Sequence, residues 1–289
     1  MSDLIKIAVD AMGGDGSPKK IIDGIILNNK SNKNVFYKIF GDQNQISELI
    51  KNKVDSKFYE IIHTDKAIKS TDSPLEGAKR GKETSMWLAI QSVKEKKADI
   101  IISAGNTGAL LVVAKLNLKM IENIDKPALS ALWPNKKGMS VVLDLGANIE
   151  CSSKNLMDFS IMGASLYTSL YPDEKPNVAL LNIGSEELKG NETIKETYQI
   201  LNDKNSVNYN FAGYIEGNHL MDGDVNVIVS DGFTGNVALK TAEGTANFIT
   251  NELKKTMTGN ITGTISSLLN ISNLKKFKKR LDPRLYNGA

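Results

Sequence analysis

Short runs of apolar residues alternate along this chain with longer segments in which apolar residues recur every three or four positions. The runs are apolar at successive positions, as in strands covered on both faces of a parallel sheet. The periodic segments predict amphipathic helices between the strands. Strands are predicted at residues 5–9, 35–40, 58–63, 100–102, 128–133, 140–145, 177–183, 209–214 and 225–230. Helices are predicted at residues 19–28, 45–51, 85–95, 156–171, 192–201 and 237–253, and another begins at Ala109.

This alternation predicts an α/β fold, a three-layer α/β/α sandwich built around a largely parallel sheet. One domain is expected to span residues 1–289. The polar stretch 72–81 is interrupted by glycines, and we interpret it as a surface loop.

Polar turns rich in glycine follow five of the predicted strands, at residues 10–15, 103–108, 144–148, 182–191 and 231–236. A single turn of this kind is usually ordinary turn chemistry. The carboxyl ends of parallel strands meet at one edge of a sheet, and ligands of α/β proteins bind there. Five such turns therefore predict one ligand-binding cleft.

The turn at 103–108 is the first candidate for anion binding, because a helix begins directly after it. The first N–H groups of a helix lack partners and lie at the positive end of its dipole. Ser103, Asn106 and Thr107 add side-chain donors. We expect a phosphate-like group or a polar carbonyl at this turn, after a flat and buried strand at 100–102.

Composition narrows the class of protein. The chain is 41% apolar and 24% charged, as in soluble globular proteins, and its net charge of +3 is too small to indicate a nucleic-acid partner. The single cysteine, Cys151, excludes an internal disulfide framework and fits a reducing cytoplasm. The start of the chain does not resemble a signal peptide, and no apolar stretch approaches the roughly 20 residues of a membrane span.

The usual catalytic groups are scarce in the five turns. His63 and His219 lie outside them, and Cys151 has no evident partner base, so we interpret it as a spectator thiol. The strand-end carboxylates form no cluster with metal-ligand spacing, so neither a metal nor another cofactor is predicted. Lys189, in the 182–191 turn, could reach a phosphate as a point charge, although an ordinary solvated lysine fits equally well.

Five segments closely resemble motifs of the bacterial phosphate acyltransferase family, PlsX. They are IAVDAMGGD at 7–15, SAGNTGA at 103–109, LDLGAN at 143–148, LNIGSEELKGNE at 181–192 and DGFTGN at 231–236. The resemblance implies a fold like that of isocitrate/isopropylmalate dehydrogenases and phosphotransacetylases, and a homodimer. It also implies an early step of phospholipid biosynthesis, in which long-chain acyl-[acyl-carrier-protein] and inorganic phosphate give acyl phosphate. The family normally continues past residue 289 with a further strand and helix, so an edge of the sheet is expected to be missing here.

Given this resemblance, we assign phosphate to Asn106, Thr107 and the backbone of Gly105 and Gly108, assisted by Lys189. Asn236 and the turn at Gly235 are assigned to the thioester carbonyl oxygen, which makes Lys189 and Asn236 the predicted catalytic residues. The other residues predicted to bind phosphate or the thioester are Asp10, Gly13, Gly14, Ser103, Asp144, Asn148, Asn182, Gly184, Glu187, Asn191, Asp231 and Thr234.

Residues 256–280 combine apolar residues at helical spacing with a basic cluster. The apolar residues are Ile261, Ile265, Leu268, Leu269, Ile271, Leu274 and Phe277, and the basic ones are Lys275, Lys276, Lys278, Lys279 and Arg280. This combination is typical of a helix at an anionic membrane surface, but a dimer-contact helix with a solvated basic face fits equally well. The resemblance implies a projecting helical pair, peripheral membrane attachment and a downstream membrane partner, the acyl-phosphate:glycerol-3-phosphate acyltransferase.

Other functions remain open from the residues alone. A phosphotransacetylase-like enzyme would use acyl-coenzyme A in place of the carrier protein. A non-catalytic phosphate-binding protein at the membrane surface would show no turnover. A nicotinamide-dependent dehydrogenase is disfavoured, because the strand ends are nearly free of arginine.

Overall fold

The computed structural model describes residues 4–69, 71–79, 81–203 and 206–281. The expectations for the first three residues and for the end of the sequence lie outside these ranges. The chain forms two compact units, Met1–Asn123 and Ile124–Ala289. Each unit has its own sheet.

The first unit is a parallel sheet in the order β3-β2-β1-β4. Its strands are β1 (Ile5–Asp10), β2 (Val35–Gly41), β3 (Tyr59–His63) and β4 (Ile100–Ser103). Its helices are α1 (Lys19–Ser31), α2 (Gln43–Ile50), α3 (Pro74–Lys79), α4 (Ser85–Lys94) and α5 (Thr107–Leu118). Asp10 lies opposite Ser103 in the β1–β4 register, so the turns after these two strands begin side by side.

The second unit is a sheet in the order β5-β6-β9-β7-β8, in which β5 is antiparallel to β6 and the other pairs are parallel. Its strands are β5 (Ser130–Pro134), β6 (Met139–Leu143), β7 (Asn177–Asn182), β8 (Asn210–Glu216) and β9 (Val227–Val229). Its helices are α6 (Ser153–Leu170), α7 (Glu192–Asp203), α8 (Gly232–Thr258), α9 (Ile261–Leu269) and α10 (Ile271–Leu281). The neighbouring strands β6, β9 and β7 all end at the same edge of this sheet.

The predicted α/β alternation and the largely parallel pairing are confirmed. The described strands are divided between two sheets, however, where the sequence suggested one. Hydrophobic periodicity identifies strands but carries no information about which distant strand each one pairs with. The helical segment predicted at 256–280 is confirmed as the end of α8 followed by α9 and α10.

The stretch 72–81, predicted as a loop, contains the short helix α3. Its start explains the error: the Ser73 hydroxyl donates to the Glu76 carboxylate at 3.0 Å and accepts the Glu76 N–H at 3.3 Å. Pro74 occupies the first helical position, where the missing N–H costs nothing. These capping interactions allow a helix to form even though glycines interrupt the stretch.

The strand at 100–102 was predicted to be buried, and this prediction is wrong. Ile100 and Ile102 are 52% and 50% exposed, because β4 is the outermost strand of its sheet in the described structure. An apolar run has the same composition whether its strand lies at the centre or at the edge, so the sequence pattern could not distinguish the two.

Helix α6 packs directly against its sheet at Gly163. A Cβ atom at this position would lie 2.5 Å from Val227 Cγ1 and 2.9 Å from Leu143 Cδ2. Both neighbours belong to the buried core of the second unit. Glycine is therefore needed here for packing between helix and sheet.

We expect Gly163→Ala to destabilise the protein by ~1–3 kcal/mol, because the added methyl group overpacks the core. Thermal unfolding followed by circular dichroism measures the effect. The matched control is Gly244→Ala in α8, where nothing lies within 4 Å of the added atom. That change is expected to stabilise the protein by ~0.5–1 kcal/mol through helix propensity. Equal effects of the two changes would contradict the packing argument.

Candidate functional site

The turns after β1 and β4 are joined by a short hydrogen bond in the first unit. Ser103 Oγ donates to Asp10 Oδ2 at 2.7 Å and accepts the N–H of Gly105 at 3.1 Å. Asp10 is 1% exposed, and its other oxygen accepts the N–H of Met12 at 3.3 Å. Asp10 and Ser103 thus hold the two turns together, and their polar atoms are already engaged.

Glycine is required where these two turns meet. A Cβ at Gly13 would lie 2.5 Å from Asp10 Oδ2 and 2.9 Å from the Cα of Gly105. Gly14 has a φ of +86°, and a Cβ there would lie 2.2 Å from the carbonyl oxygen of Ala104. The backbones of the two turns are therefore in direct contact.

The start of α5 lies at the end of this contact. Asn106 caps the helix: its Oδ1 accepts the N–H of Ala109 at 3.0 Å, and its Nδ2 donates to the Asp72 carbonyl at 3.2 Å. The amide of Asn106 is thus engaged in positioning the helix. The N–H groups of Thr107 and Gly108, in the first turn, have no partner within the helix.

In the second unit, the Asp144 carboxylate organises the turn after β6. It is completely buried. Oδ1 accepts the N–H groups of Leu129, Gly146 and Ala147 at 3.0, 3.2 and 2.9 Å. Oδ2 accepts the backbone N–H and the side-chain amide of Asn148 at 2.8 and 2.7 Å. Asp144 is therefore fully occupied by the turn that it stabilises.

The same turn contacts the start of α8. Gly232 N–H donates to the Asn148 carbonyl at 2.8 Å, and a Cβ at Gly235 would lie 1.9 Å from the Asp144 carbonyl oxygen. Ser230 Oγ donates to that same carbonyl at 3.3 Å. Only glycine allows the helix to begin this close to the turn.

Helix α8 presents one unoccupied polar side chain at its start. Asp231 caps the helix by accepting the N–H and the hydroxyl of Thr234, each at 2.8 Å. Asn236 is exposed and faces Gly146, where its Nδ2 would lie 3.3 Å from an added Cβ. Within the described part of the chain, the Asn236 amide makes no hydrogen bond.

The turn after β7 is fixed by Asn182, whose Nδ2 donates to the carbonyls of Gly184 and Lys189, both at 3.1 Å. Asn191 accepts the N–H of Ile194 at 2.9 Å and so begins α7. Glu187 accepts the Tyr198 hydroxyl at 3.2 Å. The ammonium group of Lys189 is exposed and forms no ion pair with the described residues.

A cavity of about 340 Å³ lies beside these turns, and the residues that line it include neither Lys189 nor Asn236. Asn191 contributes from the end of the turn after β7, and Thr193 from the start of α7. The other lining residues include Asp231, Phe233 and Thr234 at the start of α8 and Ile149, Glu150 and Cys151 in the segment after Asn148. Ile149, Thr193 and Phe233 were not singled out from the sequence. Phe233 is 63% exposed. The sequence did contain a signal for it, because it is an aromatic residue among the small residues of its turn.

The cavity does not contain a reactive thiol. Burial and the nearby Asp144 carboxylate raise the pKa of the Cys151 thiol above its ordinary value. The Sγ lies 3.6 Å from the Asn148 carbonyl oxygen, which it can reach only as a protonated donor. Among the residues that the structure describes, there is also no group of three or more His, Cys, Asp or Glu side chains placed to hold a metal ion.

The predicted site residues thus fall into two sets. The turns at 10–15 and 103–108 meet in the first unit, and the turns at 144–148 and 231–236 meet in the second. Of the 182–191 turn, Asn191 lines a cavity together with Asp231 and Thr234. A single cleft formed by all five turns stays a prediction.

Comparison with proteins of known family shows to which family this chain belongs. A family model described as "Fatty acid synthesis protein" matches residues 5–289. The chain is 78% identical to the phosphate acyltransferase of Pelagibacter ubique, over 100% of its own length and 86% of that protein. It is 42% identical to the phosphate acyltransferase of Caulobacter vibrioides, over 100% of its own length and 80% of that protein. The chain belongs to the phosphate acyltransferase family.

The solved structures that resemble this phosphate acyltransferase confirm its fold. The EutD phosphotransacetylase of Staphylococcus aureus superimposes with a TM-score of 0.59 over 84% of this chain and 83% of that one, at 16% identity. A phosphotransacetylase of Streptococcus pyogenes superimposes with the same TM-score at 15% identity. The chain is thus an acyl-transferring enzyme of fatty acid and lipid synthesis with a phosphotransacetylase-like fold.

We expect Cys151 of this phosphate acyltransferase to alkylate slowly at neutral pH, because its raised pKa keeps the thiol protonated. The rate of iodoacetamide labelling should rise with pH through a midpoint above the value of about 8.5 for an ordinary thiol. Mass spectrometry gives the rate without ambiguity, since this is the only cysteine. The control is the same chain in denaturant, which should show the ordinary midpoint. A native midpoint below that of the denatured chain would contradict the burial argument.

Proposed function

We propose that this enzyme forms acyl phosphate from inorganic phosphate and a long-chain acyl thioester of acyl carrier protein. The product would supply phospholipid synthesis in the cytoplasm, at the membrane surface. Membership of the phosphate acyltransferase family supports the transfer of an acyl group to phosphate. The carrier protein, the chain length and the pathway belong to the proposal.

The reaction needs no covalent enzyme intermediate. A phosphate oxygen attacks the thioester carbonyl carbon, and the carbonyl π electrons move onto its oxygen. When the tetrahedral intermediate collapses, the electron pair on oxygen re-forms the carbonyl and the C–S bond breaks. The two electrons of that bond leave with the carrier thiolate, which takes a proton from water. Orientation and preorganised hydrogen-bond donors supply most of the rate enhancement in such a step. The protonated state of Cys151 agrees with this direct attack.

One observation carries the assignment of residues. In the three turns of the second unit, the side chains of Asp144, Asn148, Asn182, Asn191, Asp231 and Thr234 are all engaged in holding the protein's own structure. The side chains of Lys189 and Asn236 make no hydrogen bond or ion pair with any described residue. An ammonium and a carboxamide donor are the two groups that phosphate and a developing oxyanion require.

Asn236 is the donor that we propose for the carbonyl oxygen. It lies in the first turns of α8, where the positive end of the helix dipole favours the negative charge that develops on that oxygen. Lys189 is the cation that we propose for phosphate. The roles of Asn106, Thr107 and the start of α5 in holding phosphate stay predictions, as do those of the other residues named from the sequence.

The α9–α10 pair is proposed to contact the membrane surface. Ile261, Leu268 and Leu269 are 80%, 63% and 85% exposed, and the basic cluster of α10 follows directly. Apolar side chains beside lysines bind anionic bilayers through burial and electrostatic attraction. No described helix is long and apolar enough to cross a bilayer. A homodimer, and transfer of the product to a membrane acyltransferase, remain part of the proposal.

Two substitutions separate the proposed roles. Asn236→Ala is expected to lower kcat by about 10²–10³ with little change in KM, the loss typical of one oxyanion donor. Lys189→Ala is expected to raise the KM for phosphate roughly tenfold, because a charge-assisted contact contributes about 1.5–3 kcal/mol. Phosphate-dependent release of the carrier thiol measures both. The controls are Asn247→Ala and Lys240→Ala, on exposed parts of α8. Near-normal kinetics of Lys189→Ala would remove that residue from the mechanism.

The same assay run with acyl-coenzyme A tests the carrier. Preference for the coenzyme A thioester would replace the carrier-protein proposal by a phosphotransacetylase-like activity. Absence of turnover with either thioester would support the non-catalytic phosphate-binding alternative.

The membrane proposal predicts that Leu268→Asp/Leu269→Asp loses most of its binding to anionic vesicles, because two charges replace the apolar contact. Co-sedimentation with the vesicles measures binding. Leu27→Asp, at a side chain that is 70% exposed on α1, is the control and should bind normally. If the double variant binds normally but sediments as a smaller species without lipid, the pair is a dimer contact.

A further inference from the structure

A second cavity in the second unit is unlike the first, because most of its walls are apolar. It measures about 290 Å³ and lies between the end of β5, one face of α8 and the end of α10. Trp133 and Leu239 are 5% and 8% exposed and form its buried part. Apolar space of this kind favours a hydrocarbon over water.

The shape of the cavity follows from small residues on α8. Leu239, Ala242 and Ala246 lie on one face of the helix, at the spacing i, i+3, i+7, and all three line the cavity. They span roughly 10 Å along the helix axis, at ~1.5 Å per residue. The two alanines leave a slot along the helix that a larger side chain would fill. A slot of this kind suits one unbranched alkyl chain.

Trp133 closes one side of the slot with its polar atom already engaged. Its indole N–H donates to the Met221 sulfur at 2.9 Å. Pro134, Met221 and Leu281 also line the cavity. The indole is therefore available to a ligand only as an apolar surface, which again favours a hydrocarbon.

The described charged side chains that line the cavity differ in their partners. Lys136 pairs with Asp222 at 2.6 Å, and Glu243 pairs with Lys240 at 2.9 Å. Arg280 is exposed and pairs with none of the described acidic residues. A guanidinium group presents a planar set of donors that matches a phosphate or a carboxylate.

We propose that this cavity binds a single-chain anionic lipid, with its alkyl chain in the slot along α8 and its head group against Arg280. A long-chain acyl phosphate and a free fatty acid share this chemistry. The choice of acyl phosphate as a ligand rests on the proposed function. Binding of an anionic lipid to the cavity does not require that the enzyme turn over.

Trp133 provides a direct readout, since the chain has only two tryptophans. In a Trp87→Phe background, dodecyl phosphate brominated along its chain should quench Trp133 fluorescence saturably below its micelle concentration. Brominated laurate is the second arm. Tighter binding of the phosphate assigns the site to acyl phosphate, and equal or tighter binding of laurate assigns it to fatty acids. Absence of quenching by both lipids overturns the proposal.

Substitutions localise the binding. Ala246→Phe fills the slot and should weaken quenching at least about tenfold, whereas Thr245→Phe, on an exposed neighbouring position of α8, should change it less than about twofold. Arg280→Gln, at an exposed position, should weaken the binding of the anionic lipids but not that of a brominated dodecyl maltoside. Equal effects of the two phenylalanines, or unchanged binding by Arg280→Gln, overturn the assignment.

Protein concentration and turnover distinguish a lipid site from a contact between copies of the chain and from the proposed catalytic site. Quenching that declines as protein concentration rises would show that a second copy of the chain covers the cavity, and would overturn the lipid assignment. Turnover of the acyl thioester without any quenching overturns the lipid site alone. Saturable quenching without turnover keeps an anionic-lipid site and removes the proposed acyl transfer.

Discussion

The buried carboxylate of Asp144 is the interaction on which the second unit depends. It receives five N–H donors, from Leu129, Gly146, Ala147 and both the backbone and the side chain of Asn148. A charge that is removed from water without such partners would cost several kcal/mol or more. Because these donors come from the segment before β5 and from the turn after β6, the carboxylate fixes both. The Asp144 carbonyl then sets how closely α8 can begin.

This arrangement divides the polar residues of the strand ends into two kinds. Most of them satisfy the backbone of their own turns or cap a helix, as Asp231 does for α8 and Asn106 for α5. By doing so they fix the positions of the backbone N–H groups in these turns and of the residues that follow. Lys189 and Asn236 keep their donors available. An enzyme whose nucleophile is phosphate needs such positioned donors more than it needs a reactive side chain of its own.

Helix α8 connects features that lie far apart in the sequence. Its first turn packs against the Asp144 turn, its middle lines the apolar cavity, and its end leads into α9 and α10. Such a helix passes through surroundings of quite different polarity. Leucine and alanine lie on its face along the cavity, and its last turn carries Lys255.

The sequence alone determined the local structure of this protein and the family to which it belongs. Apolar runs and helical periodicity gave the order of the strands and helices, because these patterns arise from contacts within each element. The five polar turns could be recognised because glycine and capping residues mark strand ends. The same kinds of residue misled the prediction at 72–81, where a short helix begins at Pro74. Tertiary structure decided the division into two sheets and, among the described strands, the outer position of β4, where Ile100 and Ile102 are exposed. It also decided which polar side chains are engaged, as Asp144 is, and which are available, as Asn236 is. These properties depend on partners distant in the chain, such as Leu129 for Asp144, and residue type alone carries no record of such partners.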